Sequence, residues 1–241
     1  MKTFEIKGFV ETSLCDWDGC LSSVIFLPGC NFRCPFCQNG DLVVRPGDLL
    51  TVGFDPVADF LMRNSNWIDG VVITGGEPTL RCDLDELAGE IKHRGFKVKL
   101  DTNGTRPAVI EALLKEDLVD YVAMDVKAPL DGRYEAAAGV EVDLGALRRS
   151  IDLVRSLKDR SEFRTTLVPG LVGEEEVELI AETIQGAASY VLQRFVPENS
   201  LDNLLRRALP YDESFVSHLL DRAGKHVGRC TYRGKLGVGL S

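Results

Sequence analysis

Long apolar runs are missing from this chain of 241 residues, and none approaches the ~20 residues that a bilayer-spanning helix needs. The start, Met1-Lys2-Thr3-Phe4-Glu5-Ile6-Lys7, carries neither an apolar segment nor a cleavage-like site, so no signal peptide is expected. Basic charge is short as well: 28 Lys and Arg stand against 37 Asp and Glu, a net charge of −9. A protein that grips a phosphate backbone presents a basic face. The pairs Arg148-Arg149 and Arg206-Arg207 read instead as solvated helix faces. Neither a nucleic-acid nor a membrane partner is therefore expected. Low-complexity segments, long linkers and short repeats are also missing. Seven cysteines, an odd number without a secretory leader, speak against a disulfide framework. They favour metal or redox use in a reducing compartment, the cytoplasm.

What is present is an ordinary globular composition, 44% hydrophobic and 27% charged, with enough apolar residues for a sizeable core. Short apolar, branched runs predict strands at Val24–Leu27, Val71–Thr74, Lys97–Leu100, Tyr121–Met124, Phe163–Leu167 and Tyr190–Phe195. Helical patterns alternate with them. Asp55-Pro56 offers a cap with proline at the first helical position. Asp83 with Glu86 resembles a capping box, and Gly95 sits where that helix should stop. Asp143 opens 144–157, Glu174-Glu175-Glu176 loads a first turn with acid, and Asp212 opens a last helix ending near Gly224. A further strand is expected at the edge, over Val227–Tyr232. Six strand–helix repeats imply a parallel sheet with helices outside. Six units are fewer than the eight of a complete barrel, so the expected fold is an α/β, open, partial (β/α)6 barrel. A single domain is expected over 1–241: a lead-in over 1–22, a barrel core over 23–200, and a C-terminal helix and tail over 201–241.

The densest chemistry lies in Cys30-Asn31-Phe32-Arg33-Cys34-Pro35-Phe36-Cys37, directly after an apolar run and the turn pair Pro28-Gly29. Three thiolates on one loop can hold three irons of a [4Fe–4S] cube, whose usual set is four cysteines. The fourth iron is then open to a small molecule. Structural zinc commonly uses two close pairs, which makes three on one loop less usual. Zinc stays open on counting alone, because a fourth ligand could come from Cys15, Cys20, Cys82 or a histidine. Phe36 suits a flat ligand beside the cluster and equally suits an ordinary core.

With an aromatic before its last cysteine, this loop resembles that of radical S-adenosylmethionine enzymes. Gly75-Gly76-Glu77-Pro78, Asp101-Thr102-Asn103-Gly104, Asp125-Val126-Lys127 and Arg164-Thr165-Thr166-Leu167-Val168-Pro169-Gly170 follow in that family's order. Together they resemble the glycyl-radical-enzyme activases, especially the short form that activates anaerobic ribonucleoside-triphosphate reductase. Nearly all these motifs begin at or just beyond the carboxyl end of a predicted strand, the rim where parallel barrels build active sites.

The resemblance implies a [4Fe–4S] cluster on Cys30, Cys34 and Cys37, with S-adenosylmethionine chelated by the open iron. Gly75 and Gly76 would let backbone approach the ligand, and Glu77 would take its ammonium. Asp101 and Asn103 suit ribose hydroxyls, although Asn103-Gly104 also reads as a plain turn. Lys127 could neutralise the ligand carboxylate or simply pair with Asp125. Arg164 and Phe195 are candidates for the far wall. The resemblance also allows a monovalent cation at Asp101 and Asp125. The implied reaction is one-electron reduction by an external donor such as flavodoxin or ferredoxin, then loss of hydrogen from a glycine of a partner enzyme. The cofactors carry the hard chemistry, so no protein acid, base or nucleophile is expected.

Two stretches depart from that pattern. Asp16-Trp17-Asp18-Gly19 stands where activases often read aspartate-aromatic-proline-glycine, and Gln38 follows Cys37 where they often carry histidine. Both are expected at the lip where a partner's glycine loop would enter. The irregular spacing of Cys15, Cys20, Cys82 and Cys230 favours packing over a second metal. Two rival readings remain: a radical enzyme acting on a small molecule or peptide, and a non-catalytic zinc or iron–sulfur interaction module.

Overall fold

The computed structural model describes residues 4–234. The outermost residues of the expected lead-in and tail, 1–3 and 235–241, lie outside the described residues. The chain separates into two compact units. One holds the residues up to Asn31 together with Asn39–Ala123; the other holds Phe32–Gln38 and the residues from Met124 onward.

In the first unit, β1 (Gly8–Ser13) is followed by β2 (Ser22–Leu27), α1 (Gly40–Val44), α2 (Phe54–Arg63), β3 (Gly70–Gly75), α3 (Leu84–His93), β4 (Lys97–Thr102) and α4 (Pro107–Lys115). β5 (Tyr121–Asp125) contains the boundary between the units. In the second unit come α5 (Arg133–Ala138), α6 (Leu144–Ser156), β6 (Ser161–Leu167), α7 (Glu174–Thr183), β7 (Ser189–Arg194), α8 (Glu213–Ala223) and β8 (Arg229–Arg233). The strands of one sheet lie in chain order from β1 to β8, so among the described residues the sheet is open and ends in two edges. This is the expected class: an α/β fold on a parallel, unclosed sheet. Among the described residues no helix is long and apolar enough to cross a membrane.

All six predicted strands are present, and each is largely buried. β3, for example, buries Val71, Val72 and Ile73 completely. The edge strand expected over Val227–Tyr232 is β8, parallel to β7. β1 was not foreseen, and it pairs antiparallel to β2. Only the short stretch 14–21 joins them, too little chain for the crossover that a parallel neighbour requires.

The helix ends follow local chemistry. Asp143 accepts from the Ala146 amide at 3.0 Å and Asp212 from the Phe215 amide at 2.8 Å. Glu176 reaches back to the Gly173 amide at 2.9 Å. Gly95, at φ +89°, stops α3 in the left-handed conformation that glycine tolerates. Two expectations need correction. α2 begins at Phe54, ahead of Asp55-Pro56, and Gly53 is its cap. Asp83 does precede α3, but its carboxylate is held by Arg81 at 3.0 Å on both oxygens and makes no capping hydrogen bond.

Candidate active site

In the first unit, the loop carrying Cys30 leaves β2 against the turn that follows β3. The Gly76 amide donates to Leu27 O at 2.9 Å and the Glu77 amide to Gly29 O at 2.7 Å. A Cβ on Gly75, which has φ +124°, would stand 2.3 Å from Leu27 O; one on Gly76 would stand 1.9 Å from Gly29 O. The two glycines therefore let backbone approach backbone, fixing the stem of the cysteine loop. Asn39 Nδ2 adds a hydrogen bond to Gly75 O at 3.0 Å.

Glu77 is 1% exposed, and its carboxylate is already occupied. Oε1 accepts from the Thr79 amide (3.1 Å), Thr79 Oγ1 (2.5 Å) and Thr102 Oγ1 (2.7 Å). Oε2 accepts from the Asn103 amide at 2.7 Å. Burial pushes this carboxyl above its usual range, and the four hydrogen bonds oppose the push. The side chain thus clasps the end of β4 to the turn after β3, and Oε2 retains acceptor capacity.

Asp101 is 8% exposed on β4, with Lys99 Nζ 3.9 Å from its Oδ1. The amide of Asn103 closes a polar ring. Nδ2 donates to Asn31 Oδ1 at 2.9 Å, and Asn31 Nδ2 donates to Thr105 Oγ1 at 2.9 Å. Thr105 returns its hydroxyl to Asn103 Oδ1 at 2.7 Å and its amide to the same oxygen at 3.0 Å. Asn103 Nδ2 also lies 4.0 Å from Cys30 Sγ.

In the second unit, the Cys37 amide donates to Cys34 O at 3.0 Å, a tight turn between the two cysteines. The Arg33 amide donates to Ala138 O at 2.8 Å, and Gly139 (φ +70°) has no room for a Cβ beside Arg33 O. Asp202 donates its amide to Pro35 O at 2.8 Å. Cys34 and Phe36 are buried. At the end of β5, Asp125 takes Arg164 Nε on Oδ1 at 2.7 Å and Lys127 Nζ on Oδ2 at 2.9 Å. Burial would raise the Asp125 carboxyl, but Arg164 and then Lys127 hold it well below the carboxylate range. Burial would lower the Lys127 ammonium; the charges of Asp125 and then Cys34 reverse this and raise it. Of the two sequence readings for Lys127, the pair with Asp125 is present. Phe195 is 1% exposed.

The departure at Asp16–Gly19 lies elsewhere than expected. Antiparallel β1 carries the chain to the amino end of β2, opposite the end from which the Cys30 loop leaves. Trp17 packs on Val24 and Val72, and its ring lies 2.7 Å from where a Cβ on Gly70, the first residue of β3, would stand. Leu21 and Asp69 exchange two hydrogen bonds of 2.8 Å there. Lys99, fully buried, donates to Asp16 O at 2.5 Å and lies 5.3 Å from the Tyr121 ring centre. The loop is a plug at the strands' amino ends and not a lip. Gln38 is exposed beside Cys37.

A family model described as the radical SAM superfamily matches residues 24–184, two-thirds of the chain. The chain belongs to that superfamily. A Methanocaldococcus jannaschii protein, provisionally named a glycyl-radical enzyme activating enzyme, is 37% identical over 235 residues, 95% of each chain. The pyruvate formate-lyase-activating enzyme of Streptococcus mutans is 29% identical over 166 residues, 64% of this chain and 61% of that one. Among solved structures, Streptococcus suis SuiB bound to S-adenosylmethionine superposes with a TM-score of 0.60 at 16% identity. That match covers 88% of this chain and 52% of SuiB, so the chain spans about half of that longer protein, and the likeness is one of fold.

This radical SAM chain is an enzyme whose cofactors are a [4Fe–4S] cluster and S-adenosylmethionine. Its residues fit the pair. All seven cysteines are thiols, and the three on the loop are soft donors of the kind that clusters take. An amide N–H lies beside Cys30 and an ammonium acts on Cys34. Among the described residues no three His, Cys, Asp or Glu side chains are gathered closely enough to hold a metal, so the ligand set rests on the loop spacing and the family.

Sequence reasoning missed Asn31, Thr79, Thr102, Thr105 and Lys99. Only Lys99 left a signal: it alternates with Val98 and Leu100 in a strand whose inward row continues to Asp101.

Proposed function

We propose that this radical SAM enzyme activates a glycyl-radical enzyme by taking hydrogen from a glycine α-carbon of that partner. The supporting observation is the 37% identity across 95% of both chains to a protein bearing that provisional name. The order of motifs favours anaerobic ribonucleoside-triphosphate reductase as the partner, with a flavodoxin or ferredoxin as electron donor. In this reading Cys30, Cys34 and Cys37 hold three irons and leave the fourth for the amino acid end of S-adenosylmethionine. When bound and reduced by an external donor, the cluster would supply one-electron cleavage of S-adenosylmethionine, and with it the means to take the hydrogen.

The chain's own residues position and shield. Glu77 Oε2 takes the ligand ammonium while Oε1 holds the turn in place. The Asp125–Lys127–Arg164 triad carries one net positive charge and faces the ligand carboxylate. Asp101 serves the ribose, with Asn103 holding the loop beside it, and Phe36 and Phe195 line the apolar side. A monovalent cation would have to sit at Asp101, since both oxygens of Asp125 already carry protein cations.

Anaerobic chain, reductant, S-adenosylmethionine and the candidate reductase are mixed, and 5′-deoxyadenosine and the partner's glycyl radical are measured together. Equal yields of the two support the reading. 5′-Deoxyadenosine without a radical on the reductase would favour a small-molecule or peptide substrate.

A further inference from the structure

Outside the triad and the Glu77 clasp, Asn31, Asn103 and Thr105 close a polar ring beside Cys30. Each member both gives and receives: Asn103 to Asn31 (2.9 Å), Asn31 to Thr105 (2.9 Å) and Thr105 to Asn103 (2.7 Å). The Thr105 amide fixes the orientation of the Asn103 amide by donating to its oxygen at 3.0 Å. Nδ2 of Asn103 must then face Asn31, and this orientation also brings it to 4.0 Å from Cys30 Sγ, the outer reach of an N–H···S contact. Asn31 is the residue directly after Cys30, so the ring ties a cysteine of the loop to the end of β4. The Asn103 main chain is pinned separately by Glu77 at 2.7 Å, which holds the ring against a buried anchor.

We propose that Asn31 and Thr105 are positioning residues for the Cys30 thiolate. They orient the Asn103 amide so that its N–H points at the sulfur, setting both the placement of that ligand and the reduction potential of the cluster it holds. The proposal rests on the cluster assignment made above. It assigns the Asn103 side chain, expected from sequence to meet a ribose, to the cysteine loop. Hydrogen bonds to ligand sulfurs stabilise the more electron-rich, reduced cluster and so raise its potential. Partners in the outer shell of a metal site commonly alter affinity or activity by 10–100-fold.

The test uses the full chain, reconstituted without oxygen, in three variants. Thr105→Val keeps the shape and deletes the hydroxyl; Thr105→Ser keeps the hydroxyl; Asn31→Ala opens the ring from the other side. Iron content, the cluster's midpoint potential by EPR-monitored titration, and thermal stability of the metal-free chain are measured for each. Thr105→Val and Asn31→Ala are expected to lower the reduction equilibrium about tenfold, ~59 mV for one electron, while Thr105→Ser stays near the parent. Loss of iron in the two ring-opening variants but not in Thr105→Ser would also support positioning. Full iron content with an unchanged potential in both ring-opening variants would overturn the proposal. So would a Thr105→Ser variant that behaves like Thr105→Val. If the unmodified chain takes up no cluster, the underlying cluster assignment fails instead, and the two failures are distinct.

Discussion

Arg164 and Lys127 divide one carboxylate between them: Arg164 Nε takes Asp125 Oδ1 at 2.7 Å and Lys127 Nζ takes Oδ2 at 2.9 Å. The side chain of Arg164 is 9% exposed and that of Asp125 22%, so this pair is shielded from solvent far more than a surface bridge. Removing one partner of a buried pair leaves an uncompensated charge and costs about 3–5 kcal/mol.

Arg164→Met should therefore destabilise the metal-free chain by about 3 kcal/mol in urea unfolding, at the low end because Asp125 keeps Lys127. Adding Asp125→Asn to the same chain leaves the Lys127 ammonium without its carboxylate and should cost further stability. A double variant as stable as the single one would show that the charge on Asp125 does not hold Lys127. The pH dependence has a definite sign. A carboxyl held low in the folded state contributes stability above its unfolded value, near 3.9, and loses it as pH falls further. The cost of Arg164→Met should accordingly be constant above pH 5 and shrink below pH 4.

Glu77 carries the opposite sign. Burial raises its carboxyl, so the folded state holds its proton more tightly than the unfolded one. The associated stability is full below the unfolded value near 4.3 and is lost as pH rises towards the folded one. Thr102→Val removes one of the opposing hydrogen bonds. Stability in that variant should fall more steeply from pH 5 to pH 8 than in the parent, with a deficit of about 2 kcal/mol at pH 8 for a hydrogen bond to a charged group. Parallel pH profiles would contradict an ionised Glu77 that depends on Thr102.

Gly76→Ala places a methyl group 1.9 Å from Gly29 O, where the only relief is separation of the two backbones. A loss of about 3 kcal/mol is expected, at the upper end for overpacking, along with poor iron uptake. Gly47→Ala has nothing within 4 Å of its added carbon and should stay within about 0.5 kcal/mol of the parent. Equal behaviour of the two variants in thermal melts would count against the packed stem.

Lys99→Met removes the donor on Asp16 O and leaves that carbonyl without it, at a cost of about 2 kcal/mol. Hydrogen exchange should speed up over 14–21. Unchanged exchange there would mean that Trp17 holds the plug by itself.

The fold was readable where burial writes a strong pattern. β3 and β5 are runs of fully buried Val, Ile, Ala and Met that no helix period explains. β1 was not readable, because Gly8–Ser13 is an edge with three consecutive exposed residues and no clean alternation. That omission had a consequence: without an antiparallel first strand, Asp16–Gly19 seemed to lie at the site's lip instead of at the far end of the strands. In the site, types and order were readable from spacing, as at Gly75-Gly76-Glu77. Partnerships were not. Glu77 finds Thr102 and Asn103, 25 and 26 residues away, and Asn103 finds Asn31, 72 residues away, across separate strands. Single-sequence periodicity carries no information at those distances. The two glycines show the same limit: a requirement for close approach is visible in the sequence, but the Leu27 and Gly29 backbone that approaches is not.

The most direct measurement is EPR of the anaerobically reconstituted, reduced chain before and after S-adenosylmethionine is added, with metal analysis of the same sample. A cluster with one iron open to the ligand should give a [4Fe–4S] signal whose g-values move on addition, and Cys34→Ala should give none. Zinc in place of iron, or a signal that S-adenosylmethionine leaves unmoved, would contradict it.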